Sequence, residues 1–189
     1  MNIPKLLILS LAVALLPVAG LAQSSAKPSA LVGPVINGNV STSDRRFVRG
    51  AVQGGMGEVE LGKLAAEKGS TDEVKKFARC MVDDHSKAAN QLKQIASEKG
   101  IAVPQQLSAR DRALKDRLSK LSGEEFDKAY LSDMVKDHTQ DAADFQRERT
   151  SGADSDIRDF AAKTLPTIQD HLRQAKEITP SVQAVNSGQ

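Results

Sequence analysis

Met81-Val82-Asp83-Asp84-His85 is the stretch that decides the fold, because it recurs as Met134-Val135-Lys136-Asp137-His138. A third, shorter echo is Ile168-Gln169-Asp170-His171, so that every histidine of the chain follows an aspartate. Apolar residues lie one helical turn before and one turn after each histidine. The repeat therefore predicts three helices that each direct one histidine toward a common core.

Helical periodicity extends outward from the repeat over most of the chain. Capping residues and glycines predict five helices, at about 44–68, 70–99, 108–121, 122–150 and 155–178. Ser70 with Glu73, and Ser122 with Glu125, are predicted to form capping boxes, because each pair has the spacing of that motif. Ser108 is predicted to cap the short helix.

The predicted fold class is all-α, a ferritin-like four-helix bundle with a long crossover connection that carries a short extra helix. Short turns make the first two long helices, and likewise the last two, antiparallel neighbours. The 100–122 connection is long enough to travel the length of the bundle. No segment shows the period-two alternation that is typical of strands.

Both ends of the chain differ in composition from the helical part. Residues 1–22 combine Lys5, a short apolar run and small residues before a predicted cleavage site after Ala22, which indicates a signal peptide. Residues 23–43 are predicted to be a flexible linker, 44–178 the bundle and 179–189 a disordered tail. We therefore expect a periplasmic or secreted protein whose mature chain has no transmembrane segment.

Charge and cysteine content limit the partners. Without Lys5 the chain has 25 basic and 24 acidic residues, interleaved along the helices, which argues against a nucleic-acid partner. The single cysteine, Cys80, cannot form an internal disulfide and lies roughly opposite His85 on its helix. We expect an outward, inert thiol, with a disulfide-linked homodimer as the alternative. An unidentified protein partner is compatible with either state.

Each of the four long helices is predicted to direct one group with metal-binding capacity toward the bundle axis. The predicted metal ligands are Glu58, His85, His138 and His171. Three imidazoles and a carboxylate suit Cu, Zn or Fe. Met81 and Met134 lie one turn before two of the histidines, and as soft ligands they would favour copper.

The aspartates that precede the histidines allow two interpretations. Asp84, Asp137 and Asp170 are rotated about 100° from their histidines and could each hold an imidazole of a neighbouring helix, outside the ligand shell of the metal. Alternatively, they are charges on the helix flanks that meet Lys or Arg.

The predicted centre also allows an interpretation without metal. Glu58 would then hydrogen-bond the histidines in a buried polar layer that fixes the register of the helices. The groups lie at unequal distances from the turns, which predicts two levels about 6 Å apart and favours this interpretation.

Four motifs between Phe47 and Ile178 carry a family resemblance. They are Glu58-Val59-x-Leu61-Gly62-x-Leu64-Ala65, Val74-x-x-Phe77-Ala78-x-x-Met81-Val82-x-Asp84-His85, Tyr130-x-x-x-Met134-Val135-x-Asp137-His138 and Leu165-Pro166-x-x-x-x-His171-Leu172. With them the chain resembles a bacterial exported ferritin-like family of unknown function, often labelled as outer-membrane or domain-of-unknown-function proteins. The resemblance implies a ferritin-like bundle and export, and it implies no settled activity.

The motifs depart from those of di-iron proteins with a ferritin-like fold, which use Glu-x-x-His on two helices. Val82, Val135 and Ile168 occupy the position three residues before each histidine, so a di-iron centre is not expected. The sequence contains no catalytic motif. We therefore predict a non-enzymatic envelope- or stress-related binding or structural protein. The alternative is a metal-binding or metal-handling protein that uses the Glu/His core.

Overall fold

Four long helices and one short helix form the part of the chain that the computed structural model describes, residues 40–184. They are α1 Thr42–Lys68, α2 Asp72–Glu98, α3 Ala109–Ser119, α4 Gly123–Ser151 and α5 Ser155–Ala184. No strand occurs in this range, which confirms the predicted all-α class. Within it, no helix is long and apolar enough to cross a membrane. The predicted signal peptide, residues 23–39 of the predicted linker and residues 185–189 lie outside the described residues.

The turn between α1 and α2 corrects one predicted cap. Thr71, not Ser70, caps α2, and its hydroxyl accepts a hydrogen bond from the Val74 N–H. The backbone N–H and hydroxyl of Ser70 instead donate to the buried Asp127 carboxylate of α4, at 3.0 and 2.5 Å. The predicted Ser70–Glu73 box is therefore wrong, because a tertiary contact takes the serine side chain.

Some of the other helix ends have the predicted caps and bounds, and others do not. Ser108 caps α3 as predicted. Ser122 precedes α4, but its side chain makes no capping hydrogen bond, so the second predicted box is also wrong. Gly123 follows it with a φ of 59°, which takes the backbone out of the usual helical region at that point. The last helix continues to Ala184, six residues beyond its predicted end at 178.

Polar contacts at the two ends of the bundle define the topology. At one end, called the Asp44 end, Asp44 of α1 accepts hydrogen bonds from the N–H groups of Ala153 and Asp154 in the α4–α5 turn. At the opposite end, called the Ser70 end, Ser70 contacts Asp127 near the start of α4. Because α2 runs from the Ser70 end and α4 starts there too, the connection that carries α3 must travel the length of the bundle. This agrees with the predicted crossover.

The core consists of two apolar clusters. Helix α1 packs on α2 and α4, and α5 packs on α4 and α2. The cluster toward the Ser70 end includes Leu61, Phe77, Met81, Tyr130 and Met134. The cluster toward the Asp44 end includes Val52, Leu92, Phe145, Phe160 and Ile168. On each long helix the two clusters flank one buried polar residue, so a polar layer crosses the middle of the bundle.

Cys80 lies on α2 outside both apolar clusters. Its thiol is free and half-buried. A homodimer linked through this thiol stays a prediction.

Gly62 allows α1 and α2 to approach closely. A Cβ atom at this position would lie 2.9 Å from Val82 Cγ2 and 3.1 Å from the Ala78 carbonyl oxygen. We expect Gly62→Ala to lower the free energy of unfolding by about 1–3 kcal/mol, because the Ala78 carbonyl can retreat only if α2 shifts and the Val82 side chain has one preferred rotamer in a helix.

Gly54→Ala on the same helix is the matched control. A Cβ atom there meets nothing within 4 Å. The better helix propensity of alanine should therefore raise the free energy of unfolding, by up to about 1 kcal/mol. Urea unfolding of both variants measures the difference, and equal effects at Gly62 and Gly54 would contradict the close-approach role.

Candidate metal centre

Three histidines from three helices meet in the polar layer. His85 of α2, His138 of α4 and His171 of α5 are all buried. Their ring centroids are 5.3 to 5.5 Å apart, which is close to an equilateral triangle. Each ring offers one nitrogen to a set in which all three nitrogens lie within 4.8 Å of one another. We call these residues the His triad.

Each ring of the His triad is held by an acceptor at one nitrogen. His85 Nδ1 lies 2.9 Å from Glu58 Oε2, and His138 Nδ1 donates to the Met134 carbonyl oxygen at 3.0 Å. His171 Nε2 donates to Asp84 Oδ2 at 3.2 Å. Carboxylates and carbonyls accept hydrogen bonds, so these three nitrogens carry the proton of the neutral ring.

The other nitrogen of each ring is buried and has no hydrogen-bond partner among the described residues. These atoms are His85 Nε2, His138 Nε2 and His171 Nδ1. In the neutral tautomers set by the acceptors, each carries a lone pair. Metal-binding histidines show the same arrangement, with an acceptor that orients the ring on the side away from the ion. The 4.8 Å limit exceeds the roughly 3.4 Å between two nitrogens of a tetrahedral zinc site, so binding would draw the rings together.

The polar groups lie at one level, and the expectation of two levels is wrong. Glu58 is ten residues from the end of α1, whereas His85 is thirteen residues from the start of α2. Helical side chains tilt toward the N-terminus of their own helix. In an antiparallel pair Glu58 therefore leans away from the turn and His85 leans toward it, which closes the gap. The same tilt brings together His138 and His171 on α4 and α5.

Glu58 orients His85 and is not among the three residues whose ligand atoms lie within 4.8 Å of one another. Its second oxygen, Oε1, is 3.5 Å from His138 Nδ1. Burial alone would raise the pKa of Glu58, but the charge and hydrogen bond of His85 and the charge of His138 lower it to about 2. Glu58 is thus a buried carboxylate that stays charged. The structure favours Glu58 as an outer acceptor over the ligand role predicted from the sequence.

The three histidines differ in pKa. Burial opposes protonation of His85, but the charge and hydrogen bond of Glu58 outweigh it and raise the pKa. Burial lowers the pKa of His138 and outweighs the attraction of Glu58, and the charges of His85 and His171 lower it further. Burial and the charge of His85 likewise lower the pKa of His171. Two rings of the triad therefore favour the neutral form that a metal ion requires.

The aspartates that precede the three histidines have different roles. Asp84 reaches His171 on the neighbouring helix α5, which is the role of an acceptor for an imidazole. Asp137 pairs with Arg110 at 2.6 Å, and Asp170 pairs with Arg173, so both are flank charges. Met81 and Met134, the predicted soft ligands, are both completely buried in the apolar cluster toward the Ser70 end.

Asp141 is a site residue that the sequence reasoning missed. Burial and the charge of Glu58 raise its pKa to about 9, so it is protonated at neutral pH. It lies three residues after His138, on the same face of α4. The signal was a break in the internal repeat, because the equivalent position after His85 is Ala88.

A cavity of about 250 Å³ adjoins the His triad on the side of the Asp44 end. Its polar wall includes Glu58, His85, Asp141 and His171. Its apolar wall includes Ala51, Leu92, Phe145, Phe160 and Ile168. The exposed residues Lys87 and Lys163 lie at its edge between α2 and α5, which marks the mouth.

The fold and the centre define an all-helical bundle protein with a buried histidine cluster. The chain belongs to the family described as Domain of unknown function (DUF4142), whose model matches residues 33–178. This match confirms the expected membership in a family of unknown function.

A solved structure shares the fold. It is the crystal structure of a DUF305 fragment from Deinococcus radiodurans, with a TM-score of 0.67 and 15% sequence identity. The likeness covers 75% of this chain and 98% of that one. At this identity it shows a common helical architecture and nothing about activity. No curated protein matches the sequence.

Proposed function

We propose that this chain is an exported metal-binding protein with a ferritin-like bundle, and that the His triad holds one transition-metal ion. The observation that supports it best is that three buried ring nitrogens have no hydrogen-bond partner within residues 40–184, each on a ring oriented by an acceptor. A buried polar nitrogen without a partner is costly, and a bound ion would remove that cost at three atoms together. Export is supported by the signal-peptide pattern of residues 1–22.

The ligand set favours zinc or copper. Imidazole suits Zn, Cu, Fe and Ni, and three neutral histidines with one open position are typical of zinc sites. A di-iron centre requires several carboxylate ligands from the bundle core. Glu58 already accepts from His85, and Asp141 is protonated at neutral pH, so the centre suits a single ion.

A second candidate is a non-enzymatic binding or structural role in the cell envelope, with the polar layer as a stabilising device. The Glu58–His85 contact favours it, because the negative carboxylate and the protonated imidazole neutralise each other without a metal ion. In that case the layer would fix the packing of the helices and bind nothing.

Metal analysis of the full chain, purified without a His-tag, separates the two candidates. We expect one ion of zinc or copper per chain, and a melting temperature that rises when metal is added back to the EDTA-treated protein. An ion at a hundred times its dissociation constant would stabilise the fold by about 2.7 kcal/mol. The absence of both a bound ion and a thermal shift would leave the structural role as the better explanation.

A further inference from the structure

The cavity beside the His triad has the position of a ligand site. An ion held by three imidazoles keeps at least one coordination position for another ligand. The cavity borders His85 and His171, and its wall toward the Asp44 end includes the apolar residues Leu92, Phe145 and Phe160. A ligand in the cavity would therefore approach the centre from the side of His85 and His171.

Gly54 is one of the residues that leave this space open. It lies one turn before Glu58 on the same face of α1, borders the cavity, and would place a Cβ atom with nothing within 4 Å. A larger residue at this position would project into the cavity and improve helix propensity at the same time. Glycine at this position lowers helix stability and leaves the cavity unfilled.

The size and walls of the cavity indicate the chemical class of the ligand. A dry cavity of about 150 Å³ can hold benzene, so 250 Å³ accommodates one ring with a small substituent. Phe145, Phe160 and Ile168 provide an apolar wall for the ring. A divalent ion would add two positive charges beside the carboxylates of Glu58 and Asp84. Lys87, which lies 3.8 Å from Asp84, and Lys163 add two more positive charges at the mouth, so that the ion-loaded site favours an anion.

We propose that the cavity binds a small organic monoanion with an apolar body, such as a single-ring carboxylate, whose oxygen coordinates the ion held by the His triad. This inference rests on the proposed metal site. The anion would complete the coordination of the ion, and its ring would occupy the space that Gly54 leaves open.

The test uses the Co(II)-loaded full chain, with Co(II) as a spectroscopic probe and benzoate as the ligand. We expect benzoate to change the Co(II) absorption spectrum and to bind at least about tenfold more tightly than acetate, because only benzoate buries a ring. Benzamide, which is uncharged, should bind at least about tenfold more weakly than benzoate. The metal-free chain should bind benzoate at least about tenfold more weakly than the Co(II)-loaded chain, because the carboxylate then lacks the ion.

Two variants locate the ligand. Gly54→Leu should weaken benzoate binding at least about tenfold while its Co(II) affinity stays within about threefold of the wild type. Gly50→Leu is the matched control, one turn earlier on α1, exposed and outside the cavity. Ala88→Leu fills the same cavity from α2 and should reproduce the effect of Gly54→Leu.

The outcomes distinguish the two proposals. A chain that binds none of Co(II), zinc and copper would overturn the metal site and this inference together. Co(II) binding without a preference for benzoate over acetate and benzamide would overturn this inference alone. Equal benzoate affinity in Gly54→Leu, Ala88→Leu and Gly50→Leu would show that benzoate does not occupy the cavity.

Discussion

Substitution of His138 by leucine is expected to weaken zinc binding by more than about a hundredfold while the bundle stays folded. Loss of an outer acceptor of a metal-bound histidine typically costs 10- to 100-fold in affinity, and loss of the ligand itself should cost more. Leucine fills the completely buried site of His138 and removes its polar nitrogens from the core. Isothermal titration of the variant and the wild type with zinc measures the change.

Met134→Leu is the matched control for this substitution. Met134 lies one turn earlier on α4, is equally buried, and keeps its backbone carbonyl as the acceptor for His138. Its zinc affinity should stay within about threefold of the wild type, because a leucine of similar volume is tolerated in cores. A loss of copper affinity in Met134→Leu would instead identify the thioether as a ligand. Unchanged zinc affinity in His138→Leu would contradict the His triad as the site.

Substitution of Glu58 by glutamine is expected to lower the stability of the metal-free chain by about 3 kcal/mol at neutral pH, and this deficit should shrink in acid. The pKa of Glu58 is lowered from 4.5 to about 2, and each pKa unit corresponds to about 1.4 kcal/mol. The stabilisation is present above pH 4.5 and is lost as the pH falls toward 2. The variant and wild type should therefore converge between these values.

The histidines add a second pH dependence. The lowered pKa values of His138 and His171 mean that the wild type loses stability as the pH falls below 6.5. The raised pKa of His85 has the opposite sign, since its contribution is complete below 6.5 and is lost as the pH rises through the folded value. Because Glu58 causes the raised value, the Glu58→Gln variant should lack the contribution of His85.

Urea unfolding of EDTA-treated protein at pH 7, 4.5 and 3 tests these expectations. Glu60→Gln is the matched control, two residues away on α1 and paired with Lys63 and Lys115 in partly exposed contacts. Partly exposed ion pairs contribute little to stability. The free energy of unfolding of Glu60→Gln should therefore lie within about 1 kcal/mol of the wild-type value. A deficit of Glu58→Gln that is the same at pH 7 and pH 3 would show that Glu58 acts through packing and not through charge.

The helices and the convergence of the histidines follow from sequence periodicity. The repeat around His85 and His138 places both rings at the centre of apolar stripes, and the helices that carry them are where the stripes predict them. Long, strongly periodic segments are the most reliable part of such reasoning. The crossover follows from the lengths of the connections, because a long link joins helices that begin at the same end.

Features that depend on tertiary contacts did not follow from the sequence. The capping role of Ser70 fails because Asp127, distant in sequence, accepts its hydrogen bonds. The position of the Glu58 carboxylate along the bundle axis depends on the tilt of the side chain toward the N-terminus of its helix, and the number of residues from the turn does not include this tilt. In the sequence, Asp141 resembles a charge on a helix flank. Its raised pKa arises from burial beside Glu58, which is a tertiary contact.

The His triad is divided between two helical hairpins, since His85 lies in α1–α2 whereas His138 and His171 lie in α4–α5. We expect contacts within a hairpin to form before the long connection closes, because local contacts cost less entropy. An early hairpin therefore offers at most two of the three nitrogens, and a metal ion would be captured late, when the hairpins dock. Under the proposed export and metal binding, this order would keep the ion from being retained before the whole bundle has crossed the membrane.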